Sequence, residues 1–123
     1  MTERRTNILV VEDEVMISEL LADYLSGAGF DVRIAATADE ALGYLESEPG
    51  VDLLFTDINL AGSSMDGSAL AREVRVRRPE MPIVYCSGRV SPSAVAPPVS
   101  RSMFLAKPYN LDHVSSLLRR LTA

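Results

Sequence analysis

Asn7-Ile-Leu-Val-Val-Glu-Asp-Glu14 sets the apolar run Ile8 to Val11 directly against a run of acids, Glu12 to Glu14. Apolar residues without alternation describe a strand buried on both faces, and the acids mark where it opens into a loop. The same pattern recurs along the chain. Val51-Asp-Leu-Leu-Phe-Thr56 runs into Asp57, Pro82-Ile-Val-Tyr-Cys86 runs into Ser87, and the shorter Met103 to Ala106 precedes Lys107. Phe30 to Ala36 is a further strand. Each apolar run except this one ends on a residue with polar chemistry.

Helical patterns fill the intervals. Ile17, Leu20, Leu21, Tyr24, Leu25 and Ala28 keep the i, i+3, i+4, i+7 spacing of one amphipathic face, closed by Gly29. Thr37-Ala-Asp-Glu40 has the form of a capping box, and Ala38, Ala41, Leu42 and Leu45 follow it before Pro49-Gly50. A loop rich in Gly and Ser leads to a helix carrying Leu70, Ala71 and Val74. Asn110 caps a last helix with Leu111, Val114, Leu117, Leu118 and Leu121 on its inner face. Strands alternating with helices predict an α/β, doubly wound fold: a parallel sheet with right-handed crossovers, covered on both faces. One interval is irregular. Arg89 to Ser102 should hold the fourth helix, yet it contains Pro92, Pro97 and Pro98, so the spacing predicts a helix that is short or degenerate.

At 123 residues the chain fits one domain, and the reading expects a single domain over 1–123, with its core at about 7–121 and no output domain. An apolar fraction of 47% with 24% charged residues places it among ordinary globular proteins. No apolar run reaches the length of a membrane span and no signal peptide opens the chain, so a cytoplasmic location is expected. A net charge of −5 argues against nucleic acid as a partner. The single cysteine, Cys86, lies in an apolar run and reads as a small buried hydrophobe. Eleven of the twelve basic residues are arginine, and Lys107 is the only lysine. Arginine-rich codon usage would explain the bias. It leaves open what a compact ammonium does at that one position.

In parallel open sheets the ligand site lies beyond the carboxyl ends of the strands. There the chain brings Glu12, Asp13, Asp57, Ser87 and Lys107 to one rim. Taken singly, each acid could be a loop charge or a helix cap. Three carboxylates in one crevice repel one another unless a cation joins them, and Mg²⁺ is the hard ion that suits carboxylate and phosphate oxygens. A carboxylate is also a competent nucleophile toward phosphorus when positive charge offsets the developing oxygens.

Leu9-Val-Val-Glu-Asp13, Phe55-Thr-Asp-Ile58, Met65-Asp-Gly67, Ile83-Val-Tyr-Cys-Ser-Gly88 and Phe104-Leu-Ala-Lys-Pro-Tyr109 together resemble the receiver domains of response regulators, over about residues 7–121. The resemblance implies a flavodoxin-like strand order, 2-1-3-4-5, and a stand-alone, single-domain regulator of a two-component system. It implies that Asp57 accepts the phosphoryl group, with Ser87 and Lys107 completing the catalytic set. Mg²⁺ is then held by Asp13 and Asp57, by Glu12 through water, and by the backbone carbonyl of Asn59. Ser87 and Phe104 become the switch pair, and Asn59 and Arg89 the positions that tune hydrolysis. The Lys107-Pro108 bond is expected to be cis. The implied donor is a sensor histidine kinase or histidine phosphotransfer protein. Output passes through protein contacts, or the domain drains a kinase as a phosphate sink. It is a monomer or weak dimer, and a signalling switch that catalyses its own phosphorylation and slow dephosphorylation.

Two features depart from that family. The interval between Asp57 and Gly67 is about two residues longer than usual, with Ala61-Gly-Ser-Ser64 inside it, and the fourth helix is rich in proline. Rival readings meet specific obstacles. A flavin module needs a phosphate cradle after the first strand, where Glu12-Asp-Glu14 would repel it. A hydrolase working through an aspartyl phosphate needs a second aspartate where this chain has Asn59. A receiver that signals without phosphate need not keep the complete acidic and basic set found here.

Overall fold

The computed structural model describes residues 5–60, 64–88 and 100–123. Nine elements follow in chain order: β1 Asn7–Val11, α1 Val15–Gly27, β2 Asp31–Ala35, α2 Ala38–Ser47, β3 Leu53–Asp57, α3 Gly67–Arg77, β4 Ile83–Ser87, β5 Ser102–Ala106 and α4 Leu111–Thr122. The five strands form one parallel sheet in the order β2-β1-β3-β4-β5. This is the doubly wound α/β architecture that the alternation predicts. The fourth helix of that alternation would fall at residues 89–102, and 89–99 lie outside the described residues.

β3 and β4 are buried throughout, and β1 over Ile8–Val11. The edge strands β2 and β5 are largely open. The pleat sends alternate residues to two cores. Leu9, Val11, Leu54, Ile83 and Tyr85 pack with α2 and α3 residues such as Leu45, Leu70 and Val74. Ile8, Val10, Phe55, Val84 and Cys86 pack with Leu21 and Leu25 of α1 and Val114 and Leu118 of α4. Burying side chains of this size contributes roughly 1.5–3 kcal/mol each, so the central strands carry much of the packing energy of the fold.

Caps fix where the helices begin. The hydroxyl of Thr37 accepts from the Glu40 amide at 3.1 Å, and the side chain of Asn110 accepts from the His113 amide at 3.1 Å. Asp66 does the same for Ala69 at 2.8 Å, starting α3 close to the end of β3. Gly29 follows α1 at φ +104°, a conformation that suits glycine after a helix.

The inner face of α1 differs from the expected stripe. Leu20 is 61% exposed, while Ser18 is buried. Ser18 shares a face with Leu21 and Leu25, three and seven residues on. Its hydroxyl donates to the Val15 carbonyl at 3.0 Å, which satisfies the polar group locally. Leu20 lies on the flank and lines an apolar groove of about 540 Å³ with Ile17, Leu21, Pro108, Tyr109 and Leu111.

Candidate functional site

β1, β3, β4 and β5 release the chain on the same side of the sheet, and the register places their ends in order. Val11 pairs with Thr56, Asp57 with Cys86, and Ser87 with Ala106. Glu12, Asp57, Ser87 and Lys107 therefore emerge as neighbours, although Glu12 and Lys107 are 95 residues apart.

Asp57 is 5% exposed and both of its carboxylate oxygens are engaged. Oδ1 accepts from the backbone N–H of Asn59 at 3.1 Å. Oδ2 accepts from Lys107 Nζ at 2.9 Å. The same ammonium donates to Glu12 Oε1 at 2.9 Å, and Glu12 Oε2 accepts from the Glu14 amide at 3.2 Å. Lys107 is itself held by its backbone N–H, which donates to the Ser87 carbonyl at 3.0 Å. The Lys107-Pro108 bond is cis.

Burial raises the Glu12 carboxyl above the ordinary carboxylate range; the hydrogen bonds from Lys107 and the Glu14 amide oppose that rise, and the charge of Asp57 adds to it. For Lys107, burial pulls the ammonium down, and the hydrogen bonds to Asp57 and Glu12 outweigh it, so its proton is held more tightly than usual. Cys86 is buried on β4 beside Asp57, and burial pushes its thiol up.

Oxygen atoms of Glu12, Asp13 and Asp57 lie within 4.8 Å of one another. Three clustered carboxylates, two of them on the Lys107 ammonium, form a hard, oxygen-only donor set, and such a set fits Mg²⁺. Asn59 adds a link between strands: its side-chain Nδ2 donates to Ser87 Oγ at 3.0 Å.

Glu12, Asp13, Asp57, Asn59, Ser87 and Lys107 are thus brought together. Phe104 lies on β5 opposite Tyr85, half-buried against the core that faces α2 and α3. Arg89 lies outside the described residues. His113, read from the sequence as a surface residue, is exposed.

Gly67 has a role that its motif alone does not reveal. It is the first residue of α3, its N–H donates to the Ile58 carbonyl at 2.8 Å, and a Cβ there would stand 2.1 Å from the Asp57 carbonyl oxygen. Only a residue without a side chain lets α3 start against the backbone of Asp57. Tyr109, just past Lys107, sets its ring edge-on to Phe55 at 5.9 Å, which fastens the loop after β5 to the core.

A model of the response regulator receiver domain matches residues 8–119. The nitrogen assimilation regulatory protein NtrX of Azorhizobium caulinodans is 34% identical over 93% of this chain and 25% of its own length. The chain spans about a quarter of the length of the first relatives it matches. The crystal structure of the receiver domain of NtrX from Brucella abortus superposes with a TM-score of 0.82 at 36% identity, covering 94% of this chain and 97% of that one. A response regulator receiver protein from Sinorhizobium medicae gives 0.88 at 29% identity, covering 97% and 95%. Sequence over nearly the whole chain and fold agree: the chain belongs to the receiver-domain family of response regulators.

Proposed function

We propose that Asp57 accepts a phosphoryl group in a Mg²⁺-dependent reaction from a histidine kinase or histidine phosphotransfer protein. The observation that carries this reading is the buried Asp57 carboxylate at a strand end, clasped by Lys107 beside Glu12 and Asp13. An Asp57 oxygen attacks phosphorus, the new O–P bond forms as the N–P bond of the phosphohistidine breaks, and the electron pair leaves on the imidazole nitrogen, which takes up a proton. Lys107 offsets negative charge on the phosphoryl oxygens, and the Ser87 hydroxyl donates to them. Asp13 and Asp57 would hold the metal with Glu12 through water and the Asn59 carbonyl, and the ion would supply further positive charge to the transferring group. Ser87 and Phe104 are the switch residues of this reading, and Asn59 and Arg89 tune hydrolysis.

Output then runs through protein contacts, or the domain drains a kinase as a phosphate sink. Incubation with acetyl phosphate and Mg²⁺ tests the chemistry. One phosphoryl group, labile to hydroxylamine, should appear by intact mass and be lost in Asp57→Asn or on chelation. A label that survives Asp57→Asn, or none at all, overturns the proposal. Transfer from a phosphorylated kinase, with or without a change in a bound partner, separates output from sink.

A further inference from the structure

The Asn59 side chain is exposed, yet its residue bridges two parts of the site. Its backbone N–H is on Asp57 Oδ1 at 3.1 Å, and its amide Nδ2 donates to Ser87 Oγ at 3.0 Å. The first bond ties the loop after β3 to the acceptor carboxylate, and the second reaches across to the end of β4. A serine oxygen is a neutral acceptor. A phosphoryl oxygen is a charged one, and charged acceptors bind donors roughly twice as strongly.

We infer that the Asn59–Ser87 hydrogen bond is a latch of the unmodified domain. While Asp57 is bare, the Asn59 amide donates to Ser87, and the serine is held toward the β3 loop. A phosphoryl group on Asp57 brings charged oxygens to the site that both side chains border, and these compete for both donors. The amide gives up Ser87, and the serine hydroxyl turns to the new group. Asn59 is therefore a positioning residue acting through Ser87, separate from any effect on water attacking the acyl phosphate. Ser87 sits beside Ala106 in the register and Tyr85 beside Phe104, so release of Ser87 is felt along β4 and β5.

This inference rests on the phosphoacceptor reading, and the test separates the two. Amide spectra of the bare and beryllofluoride-bound protein define the resting and switched positions of Ser87 and Phe104. In the bare protein, Asn59→Ala and Asn59→Asp both remove the donor, and Asn59→Asp keeps the shape. Both should move the Ser87 and Phe104 signals along the line toward the switched positions, as the minor conformer rises about three- to tenfold, the range one net hydrogen bond carries. In a Ser87→Ala background the same Asn59 changes should leave Phe104 where it was, which a merely structural role would not produce. Unmoved signals in the single variants, or equal Asn59 effects in both backgrounds, overturn the latch and leave the phosphoacceptor reading intact. No shift with beryllofluoride overturns both.

Discussion

The two ends of the sheet carry similar ingredients and put them to different use. At the amino end, Arg5, just ahead of β1, pairs with Asp31, the first residue of β2, at 3.0 Å, with side chains 48% and 56% exposed. At the carboxyl end, Lys107 pairs with Glu12 and Asp57 at 2.9 Å each, with side chains 19%, 3% and 7% exposed. The distances are nearly equal. Solvent differs, and with it the effective dielectric, so the first pair is a screened surface contact, while in the second the hydrogen bonds to Asp57 and Glu12 hold the Lys107 proton more tightly than usual.

The contrast can be tested at four strengths. The largest effect is expected from Gly67→Ala at the carboxyl end, because the new Cβ meets the Asp57 carbonyl at 2.1 Å and α3 must retreat. Urea unfolding should register a loss of about 3 kcal/mol, with slower phosphorylation of Asp57. Wild-type stability would show that the helix yields without strain. Next, Lys107→Met leaves two buried carboxylates without their ammonium, and the protein should lose about 2 kcal/mol in chelator. Millimolar Mg²⁺ should restore most of that loss. A variant indifferent to Mg²⁺ would remove the metal from the account.

A smaller effect concerns Tyr109. Burial pushes its phenol up from the ordinary 10.0 to about 12, with Cys86, Glu12 and Asp57 adding to the rise and Lys107 opposing it. The folded protein holds the phenolic proton more tightly than the unfolded chain does. That stabilisation is complete below pH 10 and is lost as pH climbs through about 12. Tyr109→Phe keeps the ring against Phe55 and should flatten this alkaline limb in unfolding measured across that window. An unchanged limb would assign it to other groups. The smallest effect is expected from Arg5→Ala at the amino end, less than about 1 kcal/mol and shrinking with salt. A loss equal to that of Lys107→Met would erase the distinction between the two ends.

Much of this was legible in the sequence, for a physical reason. Continuous apolar runs such as Ile8–Val11 and Leu53–Phe55, bounded by acids and turn residues, read as strands covered twice, and parallel strands release their chemistry at one end. Glu12, Asp57, Ser87 and Lys107 could therefore be assembled from the sequence alone. Periodicity was less reliable where polarity and position disagree. Ser18 occupies the inner stripe of α1 because its hydroxyl bonds within the helix, and Leu20 is displaced to the flank. The contact of Gly67 with the Asp57 backbone joins residues ten apart through the angle at which α3 leaves its cap, which spacing does not encode. The Asn59–Ser87 bond depends on a side-chain rotamer across 28 residues and left no trace in the motif. The predictions for Arg89 and the prolines that follow it lie outside the described residues.

Lys107, hydrogen-bonded to two acids at once, is also a counter-ion that cannot diffuse away. A tethered cation acts at an effective local concentration, as a linked ligand does. Any dissolved cation approaching Glu12 and Asp57 is measured against that resident rival, and its apparent affinity is the difference between two attractions. In the proposed Mg²⁺ reading, affinity at this rim depends on how readily Lys107 shares Glu12 and Asp57 as well as on the carboxylates themselves.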